Sequence, residues 1–160
     1  MTRFWHRIGL FPFLLAGLGL FALGILALNH IVNNFWPIDV ARLDLVRASA
    51  LGTADAPLLL DAANPEIVAA FLASLMVAIT GIVFPLIYLL NRRLVAGDQA
   101  PQALVVLRQS MWVGLWFAFC AWLQMNRTFG IAIAALVAAV LLMFELLLQV
   151  RHRAEQGTPA

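Results

Sequence analysis

Four apolar stretches dominate the pattern of hydrophobic and polar positions along this 160-residue chain. They lie at about residues 8–28, 66–90, 106–125 and 129–150. Each is close to the roughly 20 residues that a helix needs to cross a bilayer. Composition supports the same interpretation, because 64% of the residues are hydrophobic and only 11% are charged. We therefore predict an all-α, polytopic integral membrane protein, a single membrane domain over residues 1–160 with four transmembrane helices.

The positions of the positive charges predict how the chain is oriented, because Lys and Arg near span ends stay on the cytoplasmic side. All ten basic residues are Arg. Seven fall on one side of the predicted spans: Arg3, Arg7, Arg92, Arg93, Arg108, Arg151 and Arg153. Both termini, including a tail at residues 151–160, are thus expected in the cytoplasm. Residues 29–65 form an outer loop, and the last two spans meet at a short outer turn.

The absence of Lys is informative about the source of the chain, since Lys codons are AT-rich and most Arg codons are GC-rich. A GC-rich bacterium is expected, with the protein in its cytoplasmic (inner) membrane. The first span could alternatively be a signal peptide, because Arg3 and Arg7 form a basic region ahead of an apolar core. Its length, and the lack of a small-x-small cleavage site before Asn29, favour a retained span.

Reporter fusions test this orientation. Fusions after Arg7 and at residue 160 should report the cytoplasm, and a fusion near Gly52 should report the outside, because most arginines flank one side. A C-terminal reporter found outside the cytoplasm would contradict the four-span arrangement.

The outer loop contains the pattern of a short amphipathic helix. Pro37 suits a first helical position, and the segment 38–50 places its apolar residues on one face. We predict a helix that lies in the outer interface with Trp36 as a headgroup-level anchor, or one that packs as a lid on the spans. Residues 51–64, which include glycine, proline and asparagine, are predicted to be irregular loop.

The second span has the clearest helix start. Asn64 is a predicted N-cap, Pro65 a first helical residue, and Glu66 an acid in the first turn. Further along, Pro85 removes the backbone hydrogen bond to the carbonyl of Gly81 and is predicted to kink the helix. This kink is either structural or a hinge.

Small residues are predicted to mark helix-packing faces, because close backbone approach drives association in lipid. In the second span the stripe is Ala70, Ser74, Ala78 and Gly81; in the third it is Ser110, Gly114 and Ala118; in the fourth it is Ala134 and Ala138. The short turn after Met125 makes the last two spans antiparallel neighbours. We expect their two stripes to pack against each other.

Glu145 is the acidic residue with apolar neighbours on both sides. Glu145 and Ser110 each lie 16 residues from the turn, about 24 Å along a helix, so they are predicted at one depth. Gln109 is then within reach, whereas Arg108 points largely away on a long, flexible side chain. An intramembrane acid invites a functional hypothesis. The alternatives are a structural pair with Arg108, a role in carrying protons or cations, and recognition of a partner.

Other chemistry has little support in the sequence. There is no HExxH pair, no cysteine cluster beyond the lone Cys120, and no phosphate-binding glycine loop. No cofactor, metal or catalytic residue is therefore predicted. The basic groups are divided among three flanks, which argues against nucleic acid. Trp112, Trp116 and Trp122 could stack a pigment or quinone, although aromatic anchoring in lipid is the favoured interpretation.

Two functional classes follow. The favoured one is a non-catalytic membrane protein that packs in the lipid bilayer with a membrane-protein partner or as a homo-oligomer. The alternative is a small oligomeric transporter or channel that uses Glu145, although few polar residues lie near the predicted midplane. A lipid-modifying enzyme is a distant third, since the acids of the outer loop show no recognisable spacing.

Overall fold

The computed structural model describes residues 11–35, 42–53, 55–94 and 103–156, and all of its regular elements are helices. In chain order they are α1 (Phe11–Asn34), α2 (Leu43–Ala50), α3 (Ala56–Ala62), α4 (Pro65–Leu94), α5 (Ala103–Met125) and α6 (Ile131–Gln156). Helices α1, α4, α5 and α6 are long and apolar enough to cross a membrane. The predicted all-α fold with four spans is confirmed, and the chain is a multi-pass membrane protein.

Each spanning helix extends beyond its predicted apolar stretch, and α1 and α6 do so by the most, six residues each at the C-terminal end. Polar side chains near the end of α1 bond within the helix: Asn33 donates to Asn29 Oδ1 at 2.8 Å, and Asn34 donates to the His30 carbonyl at 2.8 Å. The last turns of α6 contain arginine and glutamine, which are good helix formers. Hydropathy locates the membrane-buried part of a helix, and polar turns continue it beyond the lipid.

The start of α4 agrees with the predicted capping pattern. The helix begins at Pro65, and the backbone N–H of Glu66 donates to Asn64 Oδ1 at 3.3 Å. Asn64 thus satisfies a backbone donor that the first turn leaves without an intrahelical partner. Helix α4 then continues through Pro85 to Leu94, and the predicted kink stays a prediction.

The loop between α1 and α4 contains two short helices. Helix α2 begins at Leu43, and the predicted start of this helix, like the proposed anchor Trp36, lies outside the described residues. The prediction of irregular loop over residues 51–64 is wrong at Ala56–Ala62, which is helical. Pro57 occupies the first turn of α3, where a missing N–H leaves no carbonyl unsatisfied. The three leucines that follow are strong helix formers.

An arginine connects α2 to α3. The Arg42 guanidinium lies 2.9 Å from Asp44 and 2.7 Å from Asp61. Both pairs face solvent, so they contribute little to the free energy of unfolding. They orient the loop helices, and the hydrogen bond from Arg42 holds the pKa of the Asp44 carboxyl below its usual value.

The lowered pKa of Asp44 gives a testable pH dependence. A carboxyl whose pKa is depressed by folding contributes stability above its unfolded pKa and loses it as pH falls through its folded pKa. An NMR titration should give Asp44 a midpoint below the ordinary value near 3.9. Replacing Arg42 with Ala should return the midpoint toward that value, and an unchanged midpoint would show that Arg42 is not the cause.

The spanning helices pack in a row. Helix α1 packs on α4, α4 packs on α5, and among the described helices α6 contacts α5 alone. The contact between α1 and α4 is tight: a Cβ added at Gly24 would lie 2.6 Å from Ala78 Cα, and one at Gly17 would lie 2.7 Å from the Gly81 carbonyl oxygen. Glycine at these positions lets the two backbones approach closely, as small residues do in membranes.

The small stripe of α5 packs against α4, and the prediction that it packs against α6 is wrong. A Cβ added at Gly114 would lie 2.7 Å from the Met76 carbonyl oxygen and would also meet Thr80 Oγ1. Ser110 is fully buried and donates to the Val106 carbonyl of its own helix at 2.7 Å. At this contact Gly114 lies against the backbone of Met76 and the side chain of Thr80, so α4 takes the face of α5 that permits the closest approach.

Candidate functional site

Glu145 is the centre of a polar cluster that joins α5 to α6. Its carboxylate accepts hydrogen bonds from Arg108 Nε and Nη2, both at 2.9 Å. Trp112 Nε1 donates to the same carboxylate at 3.1 Å, and Gln149 Nε2 donates at 2.8 Å. Each carboxylate oxygen therefore receives two donors. This matches the approximately four acceptor sites of an ionised carboxylate, so its hydrogen-bonding capacity is filled.

The arginine reaches Glu145 through the flexibility of its side chain. Arg108 precedes Trp112 by four residues, so one turn of α5 presents both donors on the side of Glu145. The Glu145 side chain is 10% exposed and that of Arg108 is 34% exposed. The pair is bidentate, the geometry that makes guanidinium–carboxylate contacts strong. The acid is therefore neutralised by a nearby basic group within the protein.

A second polar contact joins α4 to α5 near this cluster. Asn91 Nδ2 donates to Gln109 Oε1 at 2.6 Å. Gln109 was expected near Glu145, yet its amide oxygen bonds to α4. The two polar contacts, Asn91–Gln109 and Arg108–Glu145, share consecutive residues of α5. They thus connect three spanning helices at one level.

A fourth hydrogen bond from α5 to α6 lies nearer the turn. Trp116 Nε1 donates to the carbonyl of Ala134 at 2.9 Å. This indole, one turn beyond Trp112, is the second tryptophan of α5 that bonds across to α6. Helix α6 is therefore held to α5 at two levels by side chains of α5.

An open groove of about 540 Å³ lies between α4 and α6, with α5 as its floor. It exists because α4 and α6 do not contact each other. Ile87, Leu90, Leu141 and Leu142 give it apolar walls, and Trp112 and Trp116 lie on its floor. Polar side chains gather at one end, where Asn91, Gln109, Glu145 and Gln149 line it. The groove is amphipathic along its length.

The predicted packing residues are placed as follows. Ala78 and Gly81 are buried at the contact with α1; Ser110, Gly114 and Ala118 are buried on α5; Ala134 is buried and Ala138 is half-buried on α6. Ser74 is half-buried, and its hydroxyl donates to the carbonyl of Ala70. Ala70 itself is an exposed residue. Pro85 is half-buried, close to Gly17 of α1. The structure thus distributes the predicted stripe of α4 between a helix contact and an exposed end.

Sequence reasoning missed the roles of Asn91, Trp112 and Trp116. A signal for the two tryptophans exists, because Gln109, Trp112, Val113 and Trp116 follow the i, i+3, i+4, i+7 pattern of one face of α5. The pattern was hidden because tryptophan in a span ordinarily indicates an interfacial anchor. The indole N–H groups of Trp112 and Trp116 bond to α6 instead.

Within the described residues, no group of three His, Cys, Asp or Glu side chains could hold a metal ion. Thr80 Oγ1 is buried at the contact with α5 and has no hydrogen-bond partner among the residues that the structure describes. Comparisons of the chain with known protein families, with curated proteins and with solved structures find no match.

Proposed function

We propose that this chain is a non-catalytic membrane protein that serves as a structural, assembly or accessory subunit of a membrane complex, or that packs as a homo-oligomer. One observation carries the proposal: the carboxylate of Glu145 accepts four hydrogen bonds from Arg108, Trp112 and Gln149. A group that is fully engaged in joining helices has no free acceptor site for a transported ion. The strongest candidate for membrane chemistry is therefore explained as helix packing.

The packing of the helices supports assembly with another membrane protein. Among the described residues, the row of four spans leaves the two end helices, α1 and α6, with broad unpaired faces, and nothing fills the groove between α4 and α6. Lipid can cover such faces. Protein packing that excludes lipid from a groove, however, adds van der Waals contacts that drive helix association in membranes.

The proposed location is a bacterial cytoplasmic membrane with both termini in the cytoplasm. The basis is the distribution of arginines, of which Arg92, Arg93, Arg108 and Arg151 lie at the same end of the spanning helices in the described residues. On this orientation the Glu145 cluster lies toward the cytoplasmic side, and α2 and α3 lie outside.

The assembly proposal is tested by extraction in mild detergent followed by native mass measurement. We expect a species heavier than one 17.6 kDa chain, either a multiple of that mass or a complex with a second membrane protein. A monodisperse monomer without any co-purifying protein would contradict the proposal.

The second candidate function is an oligomeric transporter or channel that uses Glu145. An intramembrane carboxylate beside an open groove is the observation that favours it. Against it, the groove beyond Glu145 is walled by leucine, isoleucine, valine and alanine, so its polar lining does not continue along the helices. Flux of protons or cations into liposomes that contain the protein, abolished in Glu145→Gln, would establish this function in place of the first.

A further inference from the structure

We propose that the groove between α4 and α6 binds a quinone, an uncharged lipid with a flat ring, two carbonyl groups and an apolar tail. The proposal goes beyond the packing role, since it assigns a small-molecule ligand to a surface that the helices of the chain leave open. The groove volume of about 540 Å³ lies within the roughly 300–1,000 Å³ that small-molecule sites occupy.

The apolar part of the groove fits the tail and the ring. Side chains of α4 and α6, among them Ile87, Leu90, Leu141 and Leu142, form two walls. The floor carries the indoles of Trp112 and Trp116, whose N–H groups are committed to Glu145 and Ala134. Those hydrogen bonds fix the orientation of the rings. Fixed aromatic rings are suited to stacking with a planar group.

The polar end of the groove is suited to carbonyl groups. Gln109 uses its Oε1 to accept from Asn91, and this leaves its amide N–H groups as the donors of the pair. A quinone oxygen accepts such a hydrogen bond. An acyl chain cannot use these amides, so a hydrocarbon occupant would leave part of the polar end without a partner.

Charge favours an uncharged occupant. Of the described residues that line the groove, Glu145 alone is acidic, and its pairing with Arg108 leaves the polar end neutral as a whole. An anionic headgroup would face this carboxylate, and no basic side chain is among the described residues that line the groove. A cationic headgroup would meet a carboxylate whose acceptor sites are already occupied by hydrogen bonds. A neutral ring with carbonyl acceptors avoids both costs.

Access to the site follows from the arrangement of the helices. Since α4 and α6 do not touch, the groove opens sideways along the spanning helices, toward the lipid. A ligand dissolved in the membrane can enter without passing through water. A residue that narrows this opening should therefore block binding without touching the polar cluster.

The test is tryptophan fluorescence of the purified full chain in nanodiscs of uncharged phospholipid, titrated with a benzoquinone that carries a ten-carbon tail. We expect saturable quenching of the indoles on the groove floor. Ala138 lines the groove, whereas its neighbour Ala139 is exposed. Ala138→Leu should weaken binding about tenfold or more by filling the groove, and Ala139→Leu should bind as the wild type does.

Three results would overturn the inference. The first is quenching that rises linearly with quinone and is equal in all three proteins, which shows partition into lipid. The second is saturable quenching that is equally strong in Ala138→Leu and Ala139→Leu. The third is complete displacement of the quinone by an equal concentration of ten-carbon alcohol, which identifies a site for hydrocarbon tails. Circular dichroism of both variants confirms that each retains its helices, so loss of binding in Ala138→Leu alone supports the site.

Discussion

Replacement of Glu145 by Leu should lower the free energy of unfolding by about 2 kcal/mol, the magnitude of a hydrogen-bonded contact to a charged group. The variant removes the acceptor of four hydrogen bonds and leaves Arg108 without its counter-charge inside the protein. Arg108 is about one third exposed, so its side chain can partly relax toward water, and the loss stays below that of a fully buried pair. Thermal unfolding in detergent measures the effect.

The isosteric variant Glu145→Gln is the matched control. Glutamine keeps an oxygen that can accept a hydrogen bond from Trp112 or Gln149. The free energy of unfolding should therefore decrease clearly less than in the Leu variant. If Gln and Leu lowered stability equally, the negative charge rather than hydrogen bonding would hold the contact. If neither lowered it, the cluster would have no role in joining α5 to α6.

Replacement of Gly24 by Leu should have the other large effect. A side chain at this position would meet the backbone of Ala78, because even a Cβ would lie 2.5 Å from the Ala78 nitrogen. Overpacking of this kind costs about 1–3 kcal/mol, and backbone atoms cannot move aside as a flexible side chain can. We expect a lower midpoint of thermal unfolding and a reduced yield of folded protein.

Gly19 provides the control in the same helix. A Cβ at Gly19 would meet nothing within 4 Å, so Gly19→Leu places the same side chain toward lipid. It should leave the unfolding midpoint unchanged or slightly raised, since leucine is a better helix former than glycine. Equal destabilisation by both substitutions would mean that glycine matters for the backbone of α1 and not for its contact with α4.

The sequence was sufficient to predict the spans because hydropathy and length are properties of a single helix. The start of α4 was predictable for the same reason, as Asn64, Pro65 and Glu66 act within one turn. The contact at Ala78 and Gly81 was indicated by residue size, although the identity of the partner helix was not. Gly17 and Gly24 carry the matching signal on α1, a spacing of seven residues that puts them on one face.

What the sequence could not predict is which face meets which helix. Glu145 lies at the depth that counting from the turn predicts, at the level of residues 108–112. Its expected neighbour Ser110 nevertheless faces away, because α4 competes for the small face of α5. Arg108 and Trp112 flank Ser110 on the helix and reach α6 with long side chains. Where a long side chain reaches, and which of two neighbours packs on a given helix face, depend on tertiary structure. The periodicity of a single helix does not indicate either.

The helix α3 was missed for a related reason. Gly52, Pro57 and Asn64 punctuate residues 51–64 and indicate loop, yet Pro57 starts a helix as readily as it ends one. Pro57 is the second residue of Ala56–Ala62 and lies in the first turn, where a helix tolerates proline. The placement of α3 also involves a contact that local sequence does not show, the ion pair of Arg42 with Asp61, which joins residues 19 positions apart.

The central claim is that the polar side chains within the membrane serve to hold helices together, and a double-mutant cycle on Arg108 and Glu145 tests it most directly. Stability is measured for Arg108→Met, Glu145→Leu and the double variant. We predict that the double variant loses less than the sum of the two single variants, with a coupling of about 1 kcal/mol or more, since each single variant strands its partner. Additive decreases in the free energy of unfolding would contradict the account. They would show that the two residues act independently and that Glu145 does not join α5 to α6 through Arg108.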